Sequence, residues 1–399
     1  MTVESHNKRY DLSSILFVAL IALPAINYYI AEIYWSVGLT NPWAEYVYAI
    51  VFVVGIISIC INLTRFKIVA LLTIVLLLLY TSLVTPQAVP IYTSPTLLRS
   101  PLGQFLLVFF PIFLLSSDKR FDYELTIDLL SSVALIPLVF MIVAYVLQVY
   151  ITGLGLHEYM TFAYTALPMI MVVMYYSWSV KKRWLGKVVS ILSAFTILFG
   201  GCRGALFSLL VFIILSILLY SKANIWKVIL IISGFFIVIY LPRILQFFGS
   251  QLNSYGVESR IFSYIDAGTI TESDTRIEVY QKALSIIDVY GHGIYSDRAL
   301  LEHVAEATYC HNWMLEFLVD YGWLIGMLLI IVVLSRMTRI AIHTSQKSPI
   351  MHKFMIYFAL SMLGVKFMLS NSYLNSPELA FVFGWMFYLS RNKNQYATT

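Results

Sequence analysis

The chain has 399 residues, of which 60% are hydrophobic and only 12% are charged, and its mean hydropathy is +0.82. Soluble globular domains carry about 25% charged residues because their surfaces are hydrated, so this composition excludes a soluble protein. The net charge of +5 does not indicate nucleic-acid binding, because Lys and Arg fall between apolar runs rather than in one basic stripe.

Apolar runs long enough to cross a bilayer recur along the chain. A spanning helix needs about 20 mostly apolar residues, so the sequence predicts an all-α, polytopic membrane protein with about 12 transmembrane helices. The first run lacks a signal-peptide cleavage site and is interpreted as the first span. The predicted spans are 13–36, 44–63, 68–86, 101–116, 126–150, 161–180, 185–201, 204–220, 226–242, 309–334, 351–370 and 376–390.

The distribution of Lys and Arg predicts the orientation of these spans. They concentrate in the short connections on the side that also holds the N-terminus. Cytoplasmic loops are enriched in Lys and Arg, so we expect both termini to be cytoplasmic. The long hydrophilic segment 243–308, between the ninth and tenth spans, then lies on the outer side. No linker or repeat divides the chain, which is interpreted as a single transmembrane domain, 1–399.

The first candidate element is the turn at 200–205, which joins two short apolar runs. Its glycines allow close approach of the two helices. Arg203 would lie near the outer interface, where a cation usually has a partner or a ligand. The structural alternative is that Arg203 extends to water or pairs with a buried acid.

The second candidate element is a helix within the outer segment. Thr, Ser and Asp at 271–274 can cap its start, and 290–293 ends it. Arg276 lies in its first turn, where it would join free backbone N–H groups in holding an anion such as a diphosphate. A salt bridge with a nearby acid of the segment is the alternative. The predicted apolar stripe of this helix is Ile277, Tyr280, Leu284 and Ile287.

The third candidate element opens the helix that re-enters the membrane after the outer segment. His311 could act as a general base near neutral pH, or it could simply be a hydrogen-bonded interface residue. Asn312, Glu316 and Asp320 follow at i, i+4 and i+8, which predicts one polar stripe on an apolar helix. The sequence has no P-loop, dinucleotide-binding fingerprint or D-x-D pair, so we expect no metal and no cofactor.

Together, these three elements resemble the O-antigen polymerase and O-antigen ligase superfamily. The turn is similar to its S-R-G-A-like element, through Cys202-Arg203-Gly204-Ala205. The outer helix resembles its R…W/Y…A…G-x-G segment, through Arg276, Tyr280, Ala283 and Gly291-His292-Gly293. The re-entering helix resembles its H-N-x-x-L-E element and the glycines after it, through His311-Asn312, Leu315-Glu316, Tyr321-Gly322 and Gly326. The resemblance covers residues 195–330.

The resemblance implies a glycosyltransferase of the bacterial inner membrane whose active site faces the periplasm. Its donor would be an undecaprenyl-diphosphate-linked oligosaccharide, with membrane lipid and a chain-length regulator protein as further partners. Arg203 and Arg276 would hold the diphosphate, and His311 would take the proton of the acceptor hydroxyl. Guanidinium groups suit this role because the leaving diphosphate gathers charge in the transition state. Further substrate-binding residues are predicted at Arg243, Arg260, Arg298, His292, Tyr280, Asn312 and Glu316.

The ligase reaction is an alternative within this family, and a flippase and a structural or sensory protein are alternatives from other functional classes. A polymerase extends another lipid-linked unit, whereas a ligase transfers the glycan to lipid A–core. Ligases often carry a second His beside the H-N pair, where this chain has Cys310, so a polymerase is favoured. A flippase for the same lipid would place charges near the bilayer midplane, where this chain has almost none apart from Lys366. A structural or sensory membrane protein would leave Arg203 unexplained.

Overall fold

The computed structural model describes residues 11–61, 63–93, 100–153, 156–200, 202–219, 275–302, 309–345, 348–370 and 372–391. Every regular element within these ranges is a helix, so the all-α prediction is confirmed. In chain order the elements are α1 (Leu12–Ser36), α2 (Ala44–Cys60), α3 (Arg65–Val84), α4 (Ala88–Tyr92), α5 (Pro101–Ser116), α6 (Tyr123–Ile151), α7 (Tyr159–Val180), α8 (Trp184–Phe199), α9 (Arg203–Leu218), α10 (Thr275–Ile286), α11 (Ser296–Leu301), α12 (Trp313–His343), α13 (Ile350–Leu369) and α14 (Pro377–Arg391), with a 3-10 turn at Tyr373–Asn375 between the last two.

Six of the described helices are long and apolar enough to cross a membrane: α1, α3, α6, α7, α12 and α13. Four shorter apolar helices, α2, α5, α8 and α9, accompany them. The chain is therefore a helical membrane protein. The predicted span 226–242 lies outside the described residues, and the count of twelve spans stays a prediction.

Side-chain caps start several of these helices where the sequence offers Ser, Thr, Asp or Asn. Thr64 accepts a hydrogen bond from the backbone N–H of Lys67 at the start of α3, at 3.3 Å. Asp122 caps α6 in the same way, accepting from the N–H of Leu125 at 2.9 Å. Such a cap satisfies one of the backbone donors that a helix start leaves unpaired, and it contributes about 1 kcal/mol.

Helices α7 and α13 run antiparallel, which identifies the two ends of the bundle. The hydroxyl of Tyr175, late in α7, donates to the carbonyl of Ile350 at the start of α13, at 3.2 Å. At the opposite end, Tyr164 near the start of α7 is hydrogen-bonded to Ser370, just after α13. We call this second end the motif end, because the α8–α9 turn and the start of α12 lie there too.

Helix α12 is broken at Gly322, where φ is +75° and ψ is 166°. The segment 288–293 packs into the break, and a Cβ atom on either Gly291 or Gly322 would overlap the backbone of the other segment. Only glycine allows this approach at positive φ. Three backbone hydrogen bonds join the two segments: His292 N–H to Val319 carbonyl (3.0 Å), Gly293 N–H to Asp320 carbonyl (2.8 Å) and Trp323 N–H to Asp288 carbonyl (2.8 Å).

The same segment is anchored on α3. Thr85 donates its hydroxyl proton to the carbonyl of His292 at 2.8 Å, and Tyr80 donates to that of Gly291 at 3.0 Å. Helix α10 ends at Ile286, four residues before the predicted stop at Tyr290. The predicted stop was misplaced because the glycines shape the contact with α12 rather than the end of α10.

Candidate functional site

The α8–α9 turn brings α9 against α7. Helices α8 and α9 each have 16 residues, which agrees with the short runs predicted on either side of the turn. A Cβ atom at Gly204 would overlap the Tyr164 hydroxyl, so this glycine is what permits the contact. Cys202 is buried and hydrogen-bonded to the same Tyr164, whereas the side chain of Arg203 is exposed.

Arg276 lies in the first turn of α10, as predicted. The face of α10 that packs on the protein contains Val279 and Ala283, which are both buried. Arg276 precedes them by three and seven residues, so it lies on the same face of the helix. Of the predicted stripe, Tyr280 and Ile287 are partly buried, whereas Ile277 and Leu284 are each 58% exposed on the outer side of the helix. Arg276 itself is half-buried and therefore directed toward the bundle.

His311 stands immediately before α12 with φ of +54°, a left-handed conformation that is uncommon for a residue other than glycine. Its ring lies against that of Tyr309, with 4.1 Å between the ring centroids. The Nδ1 atom is buried. With this backbone angle, the imidazole lies beside the ring of Tyr309.

A cavity of about 430 Å³ lies within the bundle and reaches Tyr309. Its volume falls within the range of small-molecule binding sites. The cavity lining can be divided into two parts by the position of each residue along its helix. The polar part comes from helix ends at the motif end, and the apolar part comes from turns deeper in the bundle. The polar part includes Thr161, Tyr164, Tyr309, Lys366, Ser370, Asn375 and Glu378. The apolar part includes Leu20, Leu107, Met169, Val172 and Phe358.

Lys366 and Glu378 form an ion pair in the wall of this cavity. Both side chains are buried, at 1% and 6% exposure, and neither belongs to the motifs recognised in the sequence. The ammonium group of Lys366 lies 5.4 Å from the centroid of the Tyr164 ring. An ion pair inside a membrane bundle is costly to bury and commonly marks a functional site.

Tyr164 is the point at which these elements meet. The charge of Arg276 acts on both Tyr164 and Cys202, and the charge of Lys366 acts on Cys202. Tyr309, whose ring contacts the ring of His311 at a tilt of 43°, also interacts with Tyr164. The Arg276 element, the Cys202–Ala205 turn and the His311 element therefore meet at Tyr164 and Tyr309, which line the polar end of the cavity. Arg203, Arg276 and His311 are not themselves among the lining residues.

Arg298 and His292 make contacts of their own within the described residues. The Arg298 guanidinium lies 5.2 Å from the ring centroid of Tyr295 and 5.8 Å from that of Tyr309. Nε2 of His292 contacts the carbonyl oxygen of Ile286 at 2.7 Å, at the C-terminal end of α10. Predicted residues Arg243 and Arg260 lie outside the described residues.

Three further predicted residues have structural contacts. Asn312 caps α12, because its side chain accepts hydrogen bonds from the N–H groups of Met314 (3.0 Å) and Leu315 (3.3 Å). The Tyr280 hydroxyl donates to the carbonyl of Met368 at 3.4 Å. Glu316 is fully buried and bonded to Ser372 and Tyr373, away from the cavity lining. Substrate binding by these residues stays a prediction.

Asp297, Glu316 and Asp320 form a second charged group, which we call the carboxyl cluster. One oxygen of each lies within 4.8 Å of the others. Burial raises the pKa of the Asp297 carboxyl, although the Arg298 guanidinium beside it acts in the opposite direction. Burial and the charge of Asp297 also raise the pKa of the Cys310 thiol, so this cysteine is a neutral packing residue.

Sequence reasoning missed Tyr164, Glu378 and Asp297, and therefore the grouping of Asp297 with Glu316 and Asp320 in the carboxyl cluster. The sequence identifies Lys366 only as a charge near the bilayer midplane. A charged residue inside each of the last two apolar runs was the available signal, since such residues commonly pair with one another. Tyr164 and Asp297 gave no signal, because one is a common aromatic in an apolar helix and the other a common acid in a polar loop.

Part of the chain matches the model of a known protein family. Residues 188–331, from within α8 to within α12, match the family model described as O-antigen ligase. No curated protein and no solved structure matches the chain. The matched region contains all three sequence elements, and it confirms the resemblance to the O-antigen polymerase and ligase superfamily.

Proposed function

We propose that this member of the O-antigen polymerase and ligase superfamily is an O-antigen polymerase, a glycosyltransferase that joins undecaprenyl-diphosphate-linked oligosaccharide units at the periplasmic face of the inner membrane. The observation that carries the proposal is the meeting of the three elements around Tyr164, at the polar end of the cavity. The three elements are far apart in sequence, and the fold brings them together.

The chemistry assigns one role to the cations and another to the imidazole. The bond between the donor sugar and its diphosphate breaks, and the diphosphate keeps the electron pair. Arg276 and Arg203 stabilise the charge that develops on it. His311 takes the proton of the acceptor hydroxyl as the new glycosidic bond forms. Because the diphosphate is already a good leaving group, this transfer requires no nucleotide.

The polarity of the cavity lining supports an amphipathic substrate. Its polar end carries hydroxyl, amide and charged groups, which suit a sugar and a phosphate, while its deeper end is lined by aliphatic and aromatic side chains. Tyrosine rings at the polar end offer apolar faces and hydroxyl groups together, as a sugar requires. A lipid-linked glycan has the same two-part character.

The ligase is the second candidate, since the matched family model carries that description. Cys310 occupies the position where ligases often have a second His, and it is fully buried in a small apolar cluster with Val279 and Ala283. A catalytic role for position 310 is therefore not supported, and the polymerase remains favoured.

The test replaces Arg276 or His311 by Ala in cells that depend on this chain for their O-antigen. We expect lipid A–core that carries a single repeat unit, with protein abundance unchanged. Lys282→Ala on the exposed side of α10 and His343→Ala at the exposed end of α12 are the matched controls, and both should give normal chain-length ladders. Unsubstituted core with accumulated lipid-linked polymer would indicate the ligase. Normal ladders in the Arg276 and His311 variants would contradict both.

A further inference from the structure

The carboxyl cluster brings together three acids from two helices in a fully buried place. Asp297 comes from α11, and Glu316 and Asp320 are one turn apart on α12. Their side chains are 0%, 0% and 1% exposed. Carboxylates at this spacing repel one another strongly in a low-dielectric interior, so the cluster needs positive charge or protons to be stable.

Uncharged protein groups donate to all four carboxyl oxygens of Glu316 and Asp320. Glu316 accepts from the Ser372 hydroxyl and from the N–H of Tyr373 at 3.0 Å. Asp320 accepts from the Tyr373 hydroxyl at 2.8 Å and from the Ser296 hydroxyl at 3.2 Å. These donors orient the carboxyl groups but leave their charge uncompensated.

Asp297 is different, because one of its oxygens is unsatisfied. Oδ2 accepts from the N–H of Cys310 at 3.0 Å, whereas Oδ1 is buried and has no hydrogen-bond partner among the described residues. A buried acceptor without a hydrogen-bond partner costs folding free energy, which indicates that another group completes its coordination.

Charge balance indicates what that group is. The described cation that acts on the cluster is Arg298, whose charge affects Asp297 and Glu316. One guanidinium against three carboxylates leaves two negative charges. A single divalent cation, or two protons, would neutralise them.

We infer that Asp297, Glu316 and Asp320 form a binding site for one divalent hard cation, with Ca²⁺ preferred over Mg²⁺. The donor set is all oxygen, and the Ser and Tyr hydroxyls nearby supply the additional ligands that Ca²⁺ accepts. Oxygens on opposite sides of Ca²⁺ are about 4.6–5.2 Å apart, which the spacing of the cluster can accommodate, whereas Mg²⁺ usually keeps several waters that a fully buried site cannot hold.

The cation has a structural role that goes beyond the proposed transfer reaction. It joins α11 to α12 and, through Ser372 and Tyr373, to the turn before α14. These segments lie next to Tyr309, which lines the cavity. The cation therefore stabilises the folded motif end and does not contact the substrate.

The experiment uses the full-length protein, purified in detergent and freed of metal with a chelator. Metal analysis after addition of Ca²⁺ should find one ion per chain, and the thermal unfolding midpoint should rise and saturate with Ca²⁺, at lower concentration than with Mg²⁺. Tb³⁺ added as a Ca²⁺ analogue should show luminescence sensitised by tyrosine, because Tyr373 lies against the site.

Asp297→Asn and Asp320→Asn keep the side-chain shape and should each abolish the bound ion and the luminescence. Glu302→Gln, an exposed acid next to α11, is the matched control and should bind as the parent does. A folded parent protein that binds no Ca²⁺, or an Asn variant as stable as the parent at every Ca²⁺ concentration, would overturn the site in favour of two protons. Equal losses in Glu302→Gln would indicate surface binding and overturn it as well.

Discussion

Two charged regions lie close together at the motif end, and they are built in opposite ways. Around Tyr164, the cations Arg276 and Lys366 stand beside a cavity of about 430 Å³. In the carboxyl cluster, protein donors occupy most of the oxygens, and the cavity lining contains none of its three acids. The comparison shows that residues 309–320 contribute to both regions, because Tyr309 lines the cavity whereas Glu316 and Asp320 belong to the cluster.

This difference separates two kinds of mutational effect. Substitutions beside the cavity should lower glycan transfer more than stability, unless they break an internal pair. Substitutions in the carboxyl cluster should lower stability and leave the activity of each folded molecule intact. The predictions below test that separation.

The largest effect is expected from Lys366→Met. Removing one partner of a buried ion pair leaves Glu378 uncompensated and costs about 3–5 kcal/mol of folding free energy. The double variant Lys366→Met/Glu378→Leu should recover near-parental thermal stability in detergent, because both charges are then gone. If Lys366 also contributes to substrate binding, the recovered protein should still fail to lengthen O-antigen chains. Parental stability of the single variant would contradict the pairing.

The next effect concerns the contact between α7 and α9. Gly204→Ala adds a methyl group that overlaps the Tyr164 hydroxyl, and such overpacking costs about 1–3 kcal/mol. Tyr164→Phe removes that hydroxyl, so the double variant should regain most of the lost stability. Thermal unfolding of the two single variants and the double variant measures this coupling. Additive losses would show that the two residues do not touch.

In the carboxyl cluster, Tyr373→Phe removes the hydroxyl that joins Asp320 and Tyr321. The loss of hydrogen bonds to a buried carboxyl should cost about 1–3 kcal/mol. Cellular abundance should fall, while the length of the O-antigen chains made per folded molecule should stay normal. A shift in chain length at parental abundance would break the separation between the two regions.

The smallest effect is expected at Asn312, where two interpretations compete. As a helix cap its replacement by Ala should cost about 1 kcal/mol, and Asn312→Asp or Asn312→Ser should restore that stability. If the cap is its role, these two variants should also restore chain length. An Asp variant that is stable but inactive would instead support the predicted contact with substrate.

The sequence predicted the features that depend on hydropathy and helical spacing. The long apolar runs became helices, and Arg276 does fall in the first turn of α10. The polar stripe from Asn312 to Asp320 exists, but it does not line the cavity. Asn312 caps α12, and Glu316 and Asp320 are buried. Spacing along one helix fixes which residues share a face, but it does not say which neighbour that face meets.

What could not be predicted depends on contacts between distant segments. The break at Gly322 exists because residues 288–293 pack into it, so a sequence pattern alone assigns those glycines to the end of α10. The Lys366–Glu378 pair joins α13 to α14, and the contacts of Tyr164 require the antiparallel pairing of α7 and α13.

The most direct test is an experimental structure of the full chain with bound undecaprenyl diphosphate. We predict the diphosphate at the polar end of the cavity, within hydrogen-bonding distance of the Arg276 guanidinium and next to the ring of His311. A diphosphate held elsewhere, with Arg276 and His311 remote from it, would contradict the proposed function.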